Sequence, residues 1–529
     1  MNTPQSKPDV QYAPKSGRKN ALRVFEIFFL SALIFGLLFS TWDAVAQPAA
    51  GTNKHWVGTW GCAPYRAETN TPPSPGLSNN TLRQIVRVSI GGDTLRLKFS
   101  NITCGSAVTL KKVNIAVSPD GSKPAVDAST ITDVTFNGNA DVTIDPKSEV
   151  YSDPVAFDLD TSMRIAITTY YGQCQTSADM TFHYGSRTNS YILTGDKTTS
   201  ADFGGATTVE RWYTISTIDV LAPKSALCVA AIGNSITDGA SLSGGLQNRW
   251  TDRFSEALLA NETTSEVGVL NLGIGATLVT SPGNGADAGI VRFKHDILGQ
   301  AGLHWVIIFY GVNDINAGKS ANDIFNGIKQ MTNEAHAKDT SIKVYGGTIT
   351  PFNGHSYYST AHEAVRNQVN DLIRTSTDLD GFIDFAKAIA DPNNPSKMKQ
   401  EYAQGGWNDW LHPGPAGHEA MGKFIDLDMF TPPPVSISGV SAESKANTIA
   451  TNAVIHGSRL ELELLQASNI SLKIYTLSGR EIAEFTGKQF PPGKHTVSFG
   501  EKLHTKGMYL YSLRVNDHAV SRKVIFAGK

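Results

Sequence analysis

The stretch LCVAAIGNSITDG, residues 227–239, joins an apolar run to a polar turn. Residues 227–232 are apolar and predict a buried strand. Ser235 follows on the tight turn between this strand and a helix, where a hydrolase can expose a nucleophilic hydroxyl beside the N–H groups of a helix N-terminus. Glycine, asparagine, serine and aspartate also suit an ordinary strand–loop–helix turn. The stretch alone therefore leaves two interpretations open, a nucleophile and a plain turn.

Strand and helix patterns alternate on both sides of this stretch, from residue 225 to residue 428. The alternation predicts an α/β fold with a parallel sheet that helices cover on both faces. Ligands of such sheets bind outside the carboxyl ends of the strands. The predicted strands are 227–232, 267–272, 304–310, 343–349 and 381–385, and the predicted helices lie near 248–260, 321–337, 361–375 and 415–427.

Two further motifs carry residue types that a serine nucleophile needs. In Asp409-Trp410-Leu411-His412-Pro413 the histidine can accept a serine proton while the aspartate fixes its tautomer. In GVND, residues 311–314, Asn313 follows an apolar run and can donate a hydrogen bond to an oxyanion, an interaction worth roughly 3 kcal/mol. Each motif is weak alone, but all three in this order beside predicted strands form a specific signal.

These motifs resemble the blocks of the SGNH, or GDSL-type, hydrolases, over roughly residues 225 to 427. The resemblance implies a flavodoxin-like three-layer domain with a parallel sheet. It also implies a serine hydrolase that forms an acyl-enzyme. Block two of the family falls on residues 271–276. The implied catalytic residues are Ser235, Asp409 and His412, and the implied oxyanion donors are Asn313 with Gly275 and Ala276 held jointly.

The sequence departs from the family pattern at two positions. Asn234 replaces the aspartate of Gly-Asp-Ser, which preserves shape and an acceptor oxygen but removes a negative charge. Ala276 stands where the family has a glycine. The donor there is a backbone N–H, so alanine suits the position only if its backbone avoids positive φ.

β-rich regions are predicted on both sides of the α/β domain. Residues 53–222 contain short alternating strands, with Gly91-Gly92-Asp93 as a hairpin signal between two of them, and predict a β-sandwich. Trp56 and Trp60 at its start suit core anchors better than a sugar-binding platform. Residues 431–450 begin with a proline-rich linker. Residues 451–529 predict a small C-terminal β-sandwich. They resemble the sorting domains of secreted bacterial proteins, and this resemblance implies contact with outer-membrane secretion machinery. The alternative is a passive or sugar-binding β-domain.

The N-terminus predicts export. Basic residues precede an apolar run at 27–39, and Ala44-Val45-Ala46 offers a cleavage site, so residues 1–46 are predicted to be a signal peptide. An uncleaved anchor is the alternative. The protein is then secreted or attached to the cell surface. Of the four cysteines, Cys104 and Cys174 could pair, whereas Cys228 suits a buried free thiol.

The predicted function is that of a secreted serine esterase that deacetylates plant polysaccharide such as acetylated xylan. The segment Trp56 to Trp60 resembles a subgroup of secreted acylhydrolases, which implies this substrate class. One alternative is a lipid or short-chain aryl esterase, and another is a non-catalytic carbohydrate-binding or adhesion protein. A net charge of −2 without a basic stripe excludes a nucleic-acid partner. No sequence pattern indicates a metal site or a cofactor.

Overall fold

A computed structural model describes residues 54–68, 71–433, 450–456, 459–464, 466–475, 481–498, 507–516 and 518–526. The predicted signal peptide at 1–46 and most of the predicted linker at 431–450 lie outside these residues. The described residues fall into two compact units, which divide after residue 435. In the part of the chain so described, no helix has the length and apolar content that a membrane span needs.

The first unit begins with a β-rich region, as predicted for residues 53–222. Its two larger sheets have the strand orders β1-β15-β4-β8, with β9 beside β4, and β13-β12-β3-β10-β5-β6, with β7 beside β5, and a small sheet has the order β14-β11-β2. The strands are β1 (Lys54–Gly61), β2 (Tyr65–Arg66), β3 (Asn80–Arg87), β4 (Gly92–Ser100), β5 (Val108–Val117), β6 (Thr132–Val134), β7 (Val142–Ile144), β8 (Glu149–Tyr151), β9 (Val155–Leu159), β10 (Arg164–Tyr171), β11 (Thr181–His183), β12 (Ser190–Thr194), β13 (Thr207–Val209), β14 (Trp212–Tyr213) and β15 (Ile215–Pro223).

The hairpin predicted at Gly91-Gly92-Asp93 is wrong. β3 pairs with β10 and β12, whereas β4 pairs with β15, β8 and β9, so these residues carry the chain from one sheet to another. A Cβ on Gly91 would lie 2.1 Å from the carbonyl oxygen of Leu159. The glycine is therefore needed for a close backbone approach, which the sequence pattern cannot distinguish from a tight turn.

Aromatic and sulfur side chains of the β-rich region lie in its core. Trp56 and Trp60 are buried, in agreement with their prediction as core anchors. All four cysteines are buried free thiols, as was predicted for Cys228, and Cys104 and Cys174 form no disulfide.

The predicted α/β domain with a parallel sheet is confirmed. Its five strands are all parallel and have the order β17-β16-β18-β19-β20, and helices follow most of them. The strands are β16 (Leu227–Gly233), β17 (Val267–Gly273), β18 (Leu303–Phe309), β19 (Lys343–Gly347) and β20 (Gly381–Ile383), with a separate two-stranded pair β21 (Ala390–Asp391) and β22 (Asn394–Met398). The helices are α1 (Ser235–Asp238), α2 (Trp250–Ala260), α3 (Gly289–Asp296), α4 (Val312–Asn316), α5 (Ala321–Lys338), α6 (Thr360–Thr375), α7 (Phe385–Ile389), α8 (Gln400–Ala403) and α9 (Pro415–Phe424).

The β-rich region and the α/β region share one hydrophobic core. Val57 and Leu270 belong to the same buried cluster, and a Cβ on Gly58 would lie 2.8 Å from the Leu270 side chain. The Gly58 N–H donates to the Ala301 carbonyl at 2.9 Å. The first unit therefore places β1 directly against β17, the strand that leads into block two.

The second unit is β-rich as predicted. Its strands form sheets of order β23-β24-β27 and β26-β25-β28-β29. Alternate residues of β25, such as Ile470 and Leu472, are buried between them. The strands are β23 (Ala450–His456), β24 (Arg459–Leu464), β25 (Ser468–Tyr475), β26 (Glu481–Phe490), β27 (Gly493–Ser498), β28 (Gly507–Val515) and β29 (His518–Phe526).

Candidate active site

The structure brings Ser235, His412 and Asp409 together. Ser235 Oγ lies 2.9 Å from His412 Nε2, and His412 Nδ1 lies 2.7 Å from Asp409 Oδ2. Because the ionised carboxylate can only accept, Nδ1 carries the ring proton and Nε2 is free to accept one from the serine. The arrangement is that of a nucleophile, a general base and an orienting acid.

The nucleophile turn is built by local hydrogen bonds. Asn234 is extended (φ −101°, ψ −151°) and its side chain accepts from the Ile236 N–H at 3.1 Å, which caps α1. Ser235 is the first residue of this helix. The amide oxygen thus fills the capping role of an aspartate, and the missing charge leaves the turn intact.

The loop that carries the acid and the base is also fixed locally. Asp409 Oδ1 accepts from the backbone N–H groups of Leu411 and His412 at 3.0 and 2.9 Å. Burial opposes ionisation of Asp409, but hydrogen bonds from the side chain and backbone of His412 outweigh it and hold the pKa of the carboxyl well below its usual range. Asp409 is therefore ionised at neutral pH.

Asn313 and its neighbour tie α4 to the block-two loop. The Asn313 side chain donates to the Thr277 carbonyl at 3.0 Å, which fixes its orientation while its second amide proton stays available. Asp314 is fully buried and accepts from the Val279 N–H at 3.0 Å. Burial raises the pKa of Asp314 to about 6. Asp314 was not predicted as a site residue, although it lies inside GVND.

Gly275 and Ala276 of block two differ in the hydrogen bonding of their backbone N–H groups. A Cβ on Gly275 would lie 4.0 Å from Ser235 Cβ, so this loop borders the nucleophile. The Gly275 N–H already donates to Asp238 Oδ2 at 3.1 Å. Ala276 is exposed, and among the described residues its N–H has no hydrogen-bond partner. Ala276 N–H is therefore the better candidate for the second oxyanion donor.

The backbone of Ala276 contradicts one expectation from the sequence. Alanine was expected here only with negative φ, yet Ala276 has φ +61°. The left-handed region costs roughly 1–2 kcal/mol for a residue with a Cβ. The chain therefore keeps the backbone shape that a glycine would adopt and tolerates the strain.

An exposed aromatic side chain borders the base. The Trp407 ring centroid lies 4.8 Å from that of His412, with 76° between the ring planes. Trp407 is 58% exposed, more than any other tryptophan among the described residues. Trp407 was not predicted as a site residue, although it lies two residues before Asp409.

His418 is hydrogen-bonded to the first residue of α2 and is not part of the Ser235–His412–Asp409 series. It is fully buried, and its Nδ1 accepts from the Trp250 N–H at 3.0 Å. Burial lowers the pKa of His418 to about 3, so the ring is neutral.

Within the described part of the chain, no group of three or more histidine, cysteine or acidic side chains could hold a metal ion.

Comparison with known proteins supports the family relationship. Residues 231–420 match the model of the GDSL-like lipase/acylhydrolase family. No curated protein matches the chain.

Several solved structures resemble part of the chain. A carbohydrate acetylesterase family member from Sinorhizobium meliloti is 16% identical over 39% of this chain and 99% of that one, with a TM-score of 0.32. A member of the lipolytic protein G-D-S-L family from Veillonella parvula is 19% identical over 39% and 99%, with a TM-score of 0.29. A catalytic mutant of an acetylxylan esterase from Geobacillus stearothermophilus is 18% identical over 37% and 91%, with a TM-score of 0.29.

The region from 231 to 420 includes Ser235, Asn313, Asp409 and His412. The match confirms the family that the motifs predicted and, with it, the predicted class of enzyme, an ester-hydrolysing serine hydrolase. Residues 231–420 of this chain belong to the GDSL-like lipase/acylhydrolase family.

Proposed function

We propose that the protein hydrolyses carboxylic esters through an acyl-enzyme on Ser235. The observation that carries the proposal is the continuous hydrogen-bonded series from Ser235 Oγ through His412 to Asp409, at 2.9 and 2.7 Å. Such a series activates a hydroxyl that is otherwise a weak nucleophile.

The reaction proceeds in two halves. Ser235 Oγ attacks the ester carbonyl carbon and gives its proton to His412 Nε2, and the carbonyl oxygen becomes an oxyanion. Asn313 Nδ2 and Ala276 N–H stabilise this charge. Loss of one such donor lowers kcat by about 10²- to 10³-fold. His412 then protonates the leaving alcohol, and a water molecule that His412 deprotonates releases the acid from Ser235.

The substrate class we propose is acylated polysaccharide, such as acetylated xylan. Trp407 supports it, because its exposed indole beside His412 offers an apolar face to the alcohol part of a large substrate. The family resemblance of residues 56–60 and the predicted signal peptide at 1–46 also support it. Such a polymer lies outside the cell, so we further propose that the protein is exported, and that its C-terminal unit engages outer-membrane secretion machinery.

Two other functions make different predictions. A lipid or short-chain aryl esterase would hydrolyse its ester without preference for a sugar alcohol. A non-catalytic binding protein on this fold would need no hydrogen bond between Ser235 and His412, so the observed series argues against it.

The test is acetate release from acetylated xylan and hydrolysis of an aryl acetate, by wild type and Ser235→Ala. We expect wild type to act on both substrates and Ser235→Ala to lose at least about 10³-fold in kcat. Fluorophosphonate labelling of wild type but not of the variant would identify the nucleophile. Ser341→Ala is the matched control, because Ser341 precedes β19 at the opposite end of the parallel sheet.

Each outcome has a distinct meaning. Activity on the aryl acetate without acetate release from xylan would refute the polysaccharide assignment and keep the esterase. Equal activity of wild type and Ser235→Ala would refute the role of Ser235. Absence of both activities and of labelling in wild type would favour the binding protein.

A further inference from the structure

A buried pair joins the β-rich region to the nucleophile helix. His183, the last residue of β11, places Nε2 3.0 Å from Asp238 Oδ1, at the end of α1. Both side chains are about 95% or more buried. No other residue of the β-rich region is hydrogen-bonded to the acidic side chain of the GNSITDG motif in the described chain.

The two ring nitrogens of His183 both face oxygen atoms. His183 Nδ1 lies 2.9 Å from the carbonyl oxygen of Ala63, which can only accept. Nε2 faces the carboxylate of Asp238, which also accepts when it is ionised. Both ring nitrogens of His183 are therefore engaged, Nδ1 by the Ala63 carbonyl and Nε2 by the Asp238 carboxyl group. Burial opposes the ionisation of Asp238, but His183 together with the charges of Arg187 and Arg249 outweighs it and lowers the pKa of the carboxyl.

The Asp238 carboxyl group connects His183 to block two. While Oδ1 accepts from His183, Oδ2 accepts from the Gly275 N–H at 3.1 Å. Gly275 is thereby held on the side of Asp238, close to Ser235 Cβ. The next N–H along the chain, that of Ala276, has no hydrogen-bond partner among the described residues. The direction of this donor thus depends on the carboxylate that His183 holds.

The surroundings make room for the carboxylate and fix its backbone separately. A Cβ on Gly185 would lie 2.1 Å from Asp238 Oδ1, so the glycine allows the side chain to enter. Arg249 Nε donates to the Asp238 carbonyl at 2.9 Å, and its Nη2 donates to the carbonyls of Gly185 and Ser186. Because Arg249 holds the backbone, the Asp238 side chain is available for a role beyond holding α1 in place.

We propose that His183 and Asp238 are positioning residues for ester hydrolysis: His183 of the β-rich region holds the Asp238 carboxylate, which fixes the Gly275 N–H and so aims the Ala276 N–H at the oxyanion. This inference rests on the proposed esterase function. It gives the β-rich region a role in catalysis, because the region supplies a residue that acts on the oxyanion donor through Asp238.

The test compares Asp238→Ala with Asp238→Asn in the full chain, with an aryl acetate as substrate. Asp238→Ala removes the acceptor for the Gly275 N–H, and we expect kcat to fall about 10- to 100-fold with KM within about 3-fold. Asparagine keeps an acceptor for Gly275 and can donate to a neutral His183, so Asp238→Asn is expected to restore most of the lost kcat. His183→Ala is expected to lower kcat in the same direction as Asp238→Ala.

Asp219→Ala is the matched control. Asp219 is fully buried and pairs with Arg96 at 2.8 Å inside the β-rich region, so its loss reports general destabilisation. We expect this control to lower the melting temperature without a selective fall in kcat. A folded Asp238→Ala with wild-type kcat would overturn the proposal, as would an Asp238→Asn that is no better than alanine. If Asp238→Ala does not fold, a folded His183→Ala with wild-type kcat would overturn it. Absence of ester hydrolysis in wild type and control together would instead refute the esterase function.

Discussion

At the scale of the residue, the most unusual feature of the site is the backbone of Ala276. This alanine has φ +61° in the loop that borders Ser235, where glycine would carry no steric cost. The N–H that we assign to the oxyanion belongs to the same residue. A site that needs this N–H in one direction can retain strain that the rest of the loop holds in place.

Ala276→Gly is expected to stabilise the protein and to preserve activity. Relief of the left-handed strain is worth roughly 1–2 kcal/mol, and the greater freedom of glycine in the unfolded chain offsets about 0.5–1 kcal/mol of it. The net gain in the free energy of unfolding is therefore between about 0 and 1.5 kcal/mol, measured by denaturant unfolding. Because the N–H is retained, kcat should change less than about 3-fold.

The control for this prediction is Ala317→Gly. Ala317 is exposed and has φ −82° at the end of α4, so it carries no such strain. This variant should lose about 0.5–1 kcal/mol of stability. Equal losses in both variants would show that Ala276 is unstrained.

The sequence could predict the candidate catalytic residues but not the residues that hold them in place. Ser235, Asn313, Asp409 and His412 lie in short motifs whose residue types state their chemistry. His183 lies 55 residues before Asp238, in a strand whose pattern indicates only burial. Its contact depends on tertiary packing of β11 against α1, which no local pattern reports.

At the scale of the element, the longer helices of the α/β region match their predicted bounds, whereas a short helix was not predicted. α2, α5, α6 and α9, each of ten residues or more, lie within a few residues of their predicted bounds. α3 was not predicted, since it has only eight residues and two of its buried positions are Arg292 and Asp296, charged residue types that usually indicate an exposed face. Arg292 donates to the carbonyls of Gly233 and Leu272, so this unpredicted helix holds two strand ends beside the nucleophile.

The contact between α9 and α2 predicts sensitivity to acid. His418 is neutral in the folded protein because burial lowers its pKa to about 3, whereas the unfolded chain binds the proton below about pH 6.5. The unfolded state therefore binds more protons between these values. The free energy of unfolding should fall by about 1.4 kcal/mol per pH unit from this group as pH drops below 6.5.

His418→Gln should remove this contribution. The glutamine oxygen can still accept from the Trp250 N–H, and it does not titrate. Denaturant unfolding at pH 7, 6, 5 and 4 should therefore give a shallower pH dependence for the variant than for wild type. Parallel curves for the two proteins would show that His418 does not titrate on unfolding.

At the scale of the whole molecule, the first unit joins two regions that the sequence pattern separates. Residues 53–222 and 225–428 have different periodicities, and this difference predicted two domains. The structure places them around one core, because β1 packs on β17 and buries Val57 with Leu270. Burial between distant segments leaves no local signal, so the pattern could predict the two element types but not their shared core.

A charged contact also joins the β-rich region to the α/β region. His295 of α3 places Nε2 3.1 Å from Glu149 of β8 and Nδ1 2.8 Å from Asp296. Burial opposes the charge on His295, but its two carboxylate partners raise the pKa to about 9. Hydrogen bonding to His295 and the charge of Lys98 lower the pKa of Glu149 to about 2 despite its burial. The histidine and the glutamate are therefore both charged at neutral pH.

This contact should stabilise the first unit only while His295 is protonated. A pKa raised by folding gives a stabilisation that is complete below about pH 6.5 and is lost as pH rises through 9. His295→Gln should therefore melt at a lower temperature than wild type at pH 6, and the difference should shrink toward pH 10. Thermal unfolding of both proteins across this range measures it, and the comparison cancels groups that titrate in both. A difference that stays constant or grows with pH would show that His295 acts by packing, because only the charged contact with Glu149 and Asp296 disappears when the ring loses its proton.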